Sequence, residues 1–363
     1  MRQVVCISAE PWTKYPTRTQ QLMSRMKDAQ VLFFEPPARR GEGQDWKGPG
    51  RQLRPGLTVY TLPPVLNKDP KQPLFARHDD AKLAKFISQR MEKHGFVEPV
   101  LWCASPAGVK YLDVLPYRGV VYDCYRDWPR YPESWESELT VSADVVFAAS
   151  PDLVGHLAPC NGNVTLLPFG CNYPMFAKDK FPRPAPLREM TEPIFGFVGT
   201  LWPDLDLTPL LRLATSRPDC NLVLVGRDAG CYMLPELLDQ PNVRYLGPVE
   251  PVDVPDYLHS FDVCLHVLRR DRLYDDVIPT RLFEYLSSGR PVVAMLRPDQ
   301  VENFPDVVYG AHTPQEFSAL CSRALEERGT FLRDRRREYG KAAAWSRRAQ
   351  EVNRILESIG LFT

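Results

Sequence analysis

Glu284 is a carboxylate set in an otherwise apolar helical turn. The stretch Asp276-Val277-Ile278-Pro279-Thr280-Arg281-Leu282-Phe283-Glu284-Tyr285-Leu286-Ser287-Ser288-Gly289-Arg290-Pro291-Val292-Val293-Ala294 surrounds it with Leu282, Phe283, Tyr285 and Leu286. An acid among such neighbours is costly to bury unless a donor meets it. Two chemistries fit: accepting hydrogen bonds from a polar ligand, or capping a nearby backbone turn. Pro279 and Thr280 suit a helix start, and Gly289 followed by Pro291 suits a helix stop. A short helix leading into the buried strand Val292–Met295 sets the acid by a cleft, not on a solvated face. Elsewhere, Asp123 closes an apolar run with Asp127 four residues on, and His266 ends another, either facing a cleft or satisfied in the core. No Ser-His-Asp or Cys-His arrangement stands at useful positions.

The elements that hold these residues belong to a large, neutral chain. At 363 residues it exceeds one ordinary core, so two domains are expected. Lysine and arginine number 45, matched by 45 aspartates and glutamates, so no whole-protein field favours nucleic acid. The 44% hydrophobic content argues against extended disorder. Nine cysteines lie scattered with no C-x-x-C pair, the pattern of reduced thiols in a cytoplasmic protein and not of a disulfide frame or zinc site. The chain opens on the strand-like Val4-Val5-Cys6-Ile7, without the apolar region of a signal peptide. No run reaches the roughly 20 apolar residues of a membrane span. Peripheral docking at the inner face of the membrane stays open, through Trp12, Lys14, Tyr15, Arg39 and Arg40 or as ordinary loop residues.

Short apolar runs alternate with helical stripes. Strands are expected at Val4–Ser8, Val31–Phe34, Leu57–Thr61, Val100–Cys103, Val120–Tyr122, Val145–Ala148 and Val164–Leu167. After the proline-rich Phe181–Arg188 they resume at Ile194–Val198, Leu222–Val225, Val243–Leu246, Val263–Val267, Val292–Met295 and Val307–Tyr309. Such alternation predicts an α/β chain of two doubly wound, Rossmann-like domains facing across a cleft. The expected boundaries are 1–178, a linker at 179–192, 193–335, and a helical tail 336–363 packing back across the junction. Gly199, Gly226, Gly247 and Gly310 directly follow strands of the second domain, where backbone can approach a ligand.

With two such halves, the Pro-x-Arg-Leu-x-Glu-Tyr-Leu-x-x-Gly-x-Pro-Val-Val stretch around Glu284 resembles the GT-B glycosyltransferases. The likeness is to the retaining group whose second domain carries two glutamates with seven residues between them. Asp276 stands at the first of these positions, one methylene shorter. Tyr15-Pro16-Thr17-Arg18-Thr19-Gln20-Gln21-Leu22-Met23, Val121-Tyr122-Asp123-Cys124 and Leu167-Pro168-Phe169-Gly170-Cys171 are similar to segments of bacterial cell-surface polysaccharide transferases. The resemblance implies that Glu284 holds the ribose hydroxyls of a nucleotide-sugar donor, that Asp276 assists, and that no cofactor or metal is required. Arg281, with Thr280 at the helix start, and Arg227 can neutralise the leaving diphosphate, or can remain on solvated faces. Gly199-Thr200 can cradle phosphate. Asp204-Leu205-Asp206 spells the metal-binding pair of the other large glycosyltransferase fold, yet its place before Thr208-Pro209 suits acids at a helix start. On the acceptor side, Asp123 can act as the base of an inverting reaction, orient a sugar, or hold a loop. Arg18 and Gln21 can line the acceptor pocket, while Gln20 completes a capping box with Thr17.

The implied activity is sugar transfer from a nucleoside diphosphate to a glycan, lipid-linked saccharide or small molecule. Retention is the expected outcome and inversion stays open. Two other readings are a non-catalytic homologue that binds a nucleotide-sugar or glycan, and a nucleotide-sugar epimerase.

Overall fold

A computed structural model describes residues 2–39, 45–66, 69–71, 76–178, 180–269, 277–295 and 303–362. It divides into two compact units, Met1–Pro168 with Trp345–Thr363, and Phe169–Ala344.

The first unit holds strands β1 (Arg2–Ile7), β2 (Ala29–Pro37), β3 (Arg51–Arg54), β4 (Leu57–Leu62), β5 (Val100–Cys103), β6 (Gly119–Cys124), β7 (Val145–Ala148) and β8 (Val164–Leu166). Their order in the sheet is β3-β4-β2-β1-β5-β6-β7-β8. Runs such as Val-Val-Cys-Ile and Val-Val-Phe-Ala are buried throughout their length, as strands covered on both faces require. All pairings are parallel except the β3–β4 hairpin. Helices α1 (Arg18–Arg25), α2 (Ala76–Lys93), α3 (Glu133–Ser142) and α4 (Pro151–Leu157) supply crossovers. The expected capping box is present: the Thr17 hydroxyl accepts from the Gln20 amide, and the Gln20 side chain accepts from the Thr17 amide.

The second unit holds β9 (Ile194–Val198), β10 (Asn221–Val225), β11 (Val243–Tyr245), β12 (Val263–His266), β13 (Val292–Met295) and β14 (Tyr309–Ala311). All are parallel, in the order β11-β10-β9-β12-β13-β14. Counted within the unit this is 3-2-1-4-5-6, the order of nucleotide-binding sheets, with its reversal between β9 and β12. Its helices are α5 (Tyr173–Phe176), α6 (Thr208–Ser216), α7 (Leu234–Leu238), α8 (Val254–Ser260), α9 (Thr280–Ser288), α10 (Pro314–Leu325) and α11 (Phe331–Ala342). Leu210, Leu213, Leu234 and Phe317 from α6, α7 and α10 share one core with one sheet face. Leu258, Leu282, Tyr285 and Leu286 from α8 and α9 share another with the opposite face.

Several details differ from expectation: the strand Arg51–Arg54 had no expected counterpart, and Gly310 lies inside the last strand and not after it. The last strand starts at Tyr309, because Asp306 takes a left-handed φ of 65° and Val307 turns inward to the core. The proline-rich stretch also contributes to packing: Leu187 is fully buried in the α8–α9 core, and Arg183 donates to the carbonyls of Leu187 and Met190. The arginine-rich tail forms two helices. The first, α11, belongs to the second unit; α12 (Trp345–Ser358) belongs to the first, packs on α1, and buries Trp345, Val352 and Leu356. Among the described residues, no helix is long and apolar enough to cross a membrane.

Candidate functional site

In the second unit, the sequence places glycine where two backbones must meet. Gly199 follows β9 and donates to Val225 O at 2.9 Å; Gly226 follows β10 and donates to Gly247 O at 2.8 Å. Gly226 has a φ of +145°, and a Cβ there would lie 2.7 Å from the Gly199 carbonyl carbon. Only glycine fits, and the β9 and β10 ends close into a backbone shelf. Thr200 stands half-buried on that shelf, and Arg227, just past β10, is exposed.

Helix α9 arrives at the same carboxyl edge. Pro279 precedes its first residue, half-buried Thr280, and Gly289 ends it in a left-handed conformation. The Tyr285 hydroxyl accepts from Val198 N at 2.9 Å and donates to Val198 O at 3.3 Å, which pins the helix to the end of β9. Glu284 is thereby fixed near the switch point, its side chain 14% exposed, in an ion pair with Arg281 one turn earlier. Burial pushes the Glu284 carboxyl above its ordinary range, and the Arg281 guanidinium pulls it back. Acid and cation therefore sit together, and Glu284 Oε2 and Arg281 Nε are buried without hydrogen-bond partners among the described residues. Asp276 lies outside the described residues. His266, ending β12 on the same edge, is half-buried, and burial lowers its imidazole to about 4, so it is neutral at physiological pH.

The Asp-x-Asp pair is occupied structurally. Asp204 Oδ1 accepts from Arg269 Nε at 2.6 Å, and Asp206 Oδ1 accepts from the Thr208 amide at 3.0 Å. The cap of α6 is Leu207, whose side chain makes no capping bond, and Asp206 serves the helix start.

In the first unit, of the three roles open to Asp123, its surroundings fit the holding of a loop. Asp123 is fully buried and Arg18 is 3% exposed. Arg18 donates through Nε to Asp123 Oδ1 at 2.9 Å and through Nη1 to Leu167 O at 2.8 Å, and its Nη2 lies 2.9 Å from the same carboxylate oxygen as an ion pair. Burial raises the Asp123 carboxyl while Arg18 opposes that rise. A base must reach the hydroxyl it deprotonates; this carboxylate reaches Arg18 instead. The pair locks α1 to β6 and to the end of β8, three of the segments on which the sequence resemblance rested. Arg18 is correspondingly engaged by this pair and buried. Gln21 is half-buried and accepts from Arg25 Nη1 at 2.5 Å. Asp127 accepts from the Trp128 amide at 2.8 Å.

A cavity of about 180 Å³ opens at the carboxyl edge of this sheet, at its own order reversal between β1 and β5. Ser8 and Ser105 line its base. Lys110 pairs with Asp80 at 2.8 Å and lies 4.6 Å over the Trp135 ring, which meets Tyr131 at 5.9 Å. The apolar walls include Pro36 and Leu62. Sequence reasoning missed these residues. Their signal is the aromatic ladder Tyr125, Trp128, Tyr131 and Trp135, whose successive rings are 5.5, 5.8 and 5.9 Å apart.

Comparison with known proteins bears on the fold. Residues 208–354 match the family model described as glycosyl transferase-like. A Bacillus subtilis protein described as a teichuronic acid biosynthesis glycosyltransferase, TuaH, is 24% identical over 364 residues, spanning 91% of this chain and 89% of its own. Sucrose-phosphate synthase from Thermosynechococcus elongatus superposes with a TM-score of 0.75 at 16% identity, covering 99% of both chains. Anabaena HepE, in complex with UDP and glucose, gives 0.67 at 15% identity, covering 98% of this chain and 99% of its own. The fold is GT-B, as the resemblance read from the sequence implies.

Proposed function

We propose that this GT-B glycosyltransferase moves a sugar from a nucleoside-diphosphate donor, held by the second unit, onto a saccharide acceptor bound by the first. The observation that carries the reading is Glu284: a carboxylate with 14% exposure, paired with Arg281, on a helix pinned to the switch point of a 3-2-1-4-5-6 sheet. Its oxygens suit the vicinal hydroxyls of a ribose. The Gly199-Thr200 backbone and the start of α9 suit the diphosphate, with Arg281 and Arg227 neutralising the charge that grows as it departs. Asp276 is proposed as its assistant on the donor. These donors to phosphate make a bound metal unnecessary in this reading. UDP-sugars are the first donors to try, since HepE is complexed with UDP.

For the acceptor, the cavity between Ser8, Ser105 and the Trp135 ring supplies a stacking face and two hydroxyls, with Gln21 as a further candidate contact. Lys110 pairs with Asp80 and Asp79 also lines the cavity, so the pocket suits a sugar ring that carries no negative charge. A polysaccharide acceptor is the first to try, since TuaH is described as a glycosyltransferase of teichuronic acid biosynthesis. The sealed Asp123–Arg18 pair favours retention. With Asp123 engaged by Arg18, the acceptor hydroxyl attacks on the face the diphosphate leaves. The bond from C1 to the phosphate oxygen breaks, the bond to the acceptor oxygen forms, and the proton passes to the departing phosphate. A product NMR spectrum tests this: an axial donor sugar remains axial if the account is right, and an inverted product overturns it. Absence of both transfer and donor hydrolysis over a panel of sugars would identify a pure binder instead.

A further inference from the structure

A second polar cavity in the second unit opens at the opposite, amino-terminal edge of its sheet, beside Asp262 and Pro291, which precede β12 and β13. It encloses about 470 Å³. Arg290, Arg328, Arg333 and Arg337 line it. Arg333 pairs with neighbouring Asp334 at 3.0 Å, while the other three meet no carboxylate among the described residues. The acids in its wall are engaged elsewhere. Glu327 is held by fully buried Arg336 through Nη1 at 2.7 Å and Nη2 at 2.5 Å, and Asp262 accepts the Ile194 amide at 2.8 Å. Arg337 Nε is buried without a hydrogen-bond partner among the described residues. It comes so close because position 289 has no side chain: a Cβ on Gly289 would stand 3.2 Å from that nitrogen.

His259 registers the surplus charge. Its Nε2 donates to Phe176 O at 2.7 Å, its ring stacks on Phe181 at 3.6 Å, and its carbonyl accepts from Arg290. Burial, then the Arg290 and Arg337 guanidinium groups, lower its imidazole to about 4. Guanidinium groups gathered in a cavity without counter-charge are costly, and a tetrahedral oxyanion offers several acceptors matched to their forked geometry.

We infer that this cavity is a binding site for a phosphate-type oxyanion, at the sheet edge opposite the proposed donor site and independent of it. The test titrates inorganic phosphate into the full chain, against chloride at matched ionic strength to remove simple screening. Phosphate should raise the thermal midpoint and lift the His259 titration, followed by NMR, by about one pH unit or more. Arg337→Gln should abolish both responses. Arg328→Gln, at an exposed position that leaves folding intact, should weaken them. Co-sedimentation with phosphatidylcholine vesicles, with and without phosphatidic acid, separates the source. Binding only with phosphatidic acid that is lost in Arg328→Gln assigns a lipid headgroup, and a response to free phosphate alone assigns a soluble ester. If neither phosphate nor phosphatidic acid produces an arginine-dependent response, the inference is wrong, whatever the outcome of the donor-binding tests at Glu284.

Discussion

Asp123→Ala should unfold the protein more readily, and this loss should precede any catalytic effect. The substitution removes a carboxylate paired with Arg18, whose side chain is 1% exposed, and leaves a guanidinium inside the first unit with the Leu167 carbonyl among its remaining contacts. Stranding one partner of a buried ion pair costs about 3–5 kcal/mol. That is a large share of the roughly 5–15 kcal/mol that holds a domain together. For a unit of this size it corresponds to a fall in Tm of about 6–20 °C. The partner experiment is the double variant Arg18→Met/Asp123→Leu, which removes both charges and should recover most of the loss. Chemical denaturation of the wild type, both single variants and the double variant gives the coupling energy directly. A cost below about 1 kcal/mol for Asp123→Ala, well under the range for a stranded buried charge, combined with abolished transfer, would refute the structural role and restore Asp123 as a base.

Further outcomes follow from particular contacts. Gly340→Ala should destabilise by about 1–3 kcal/mol, because its Cβ would lie 2.8 Å from the Ser287 Cα and force α11 off α9. Gly155→Ala, in α4 with open space around it, should instead stabilise by roughly 0.5–1 kcal/mol; thermal melts of the two compare directly. Donor affinity measured by calorimetry should weaken as pH falls, beginning above the ordinary glutamate range, because burial raises the Glu284 carboxyl and its protonated form loses an acceptor. The same titration on Glu284→Gln should be weak and flat. Trp135→Ala should raise the acceptor KM roughly 2–13-fold, the effect of losing an aromatic face worth about 0.5–1.5 kcal/mol, and leave donor affinity unchanged.

Much of this architecture is legible in the sequence because parallel strands covered on both faces must be continuous apolar runs. Val100–Cys103, Val145–Ala148, Ile194–Val198 and Val292–Met295 coincide with observed strands. The edge strand Arg51–Arg54 left no such trace: three of its four residues are exposed and it pairs on one side only. Val307 looked like a strand residue because it is apolar, yet it fills the core from a turn. Glu284 stood out locally, since its helix start, apolar neighbours and glycine stop lie within a dozen residues. The Arg18–Asp123 lock did not, because its partners are 105 positions apart and each alone suits a binding site. The Tyr131–Trp135 shelf was overlooked for a similar reason: aromatic residues at helical spacing read as core until a cavity is found beside them.

The most direct test is the affinity of Glu284→Ala for UDP and UDP-sugars, measured by calorimetry on protein whose Tm matches the wild type. A charged hydrogen bond to the ligand is worth about 1.5–3 kcal/mol, so the account predicts binding weaker by roughly 10–150-fold. Affinity unchanged in the folded variant would contradict it.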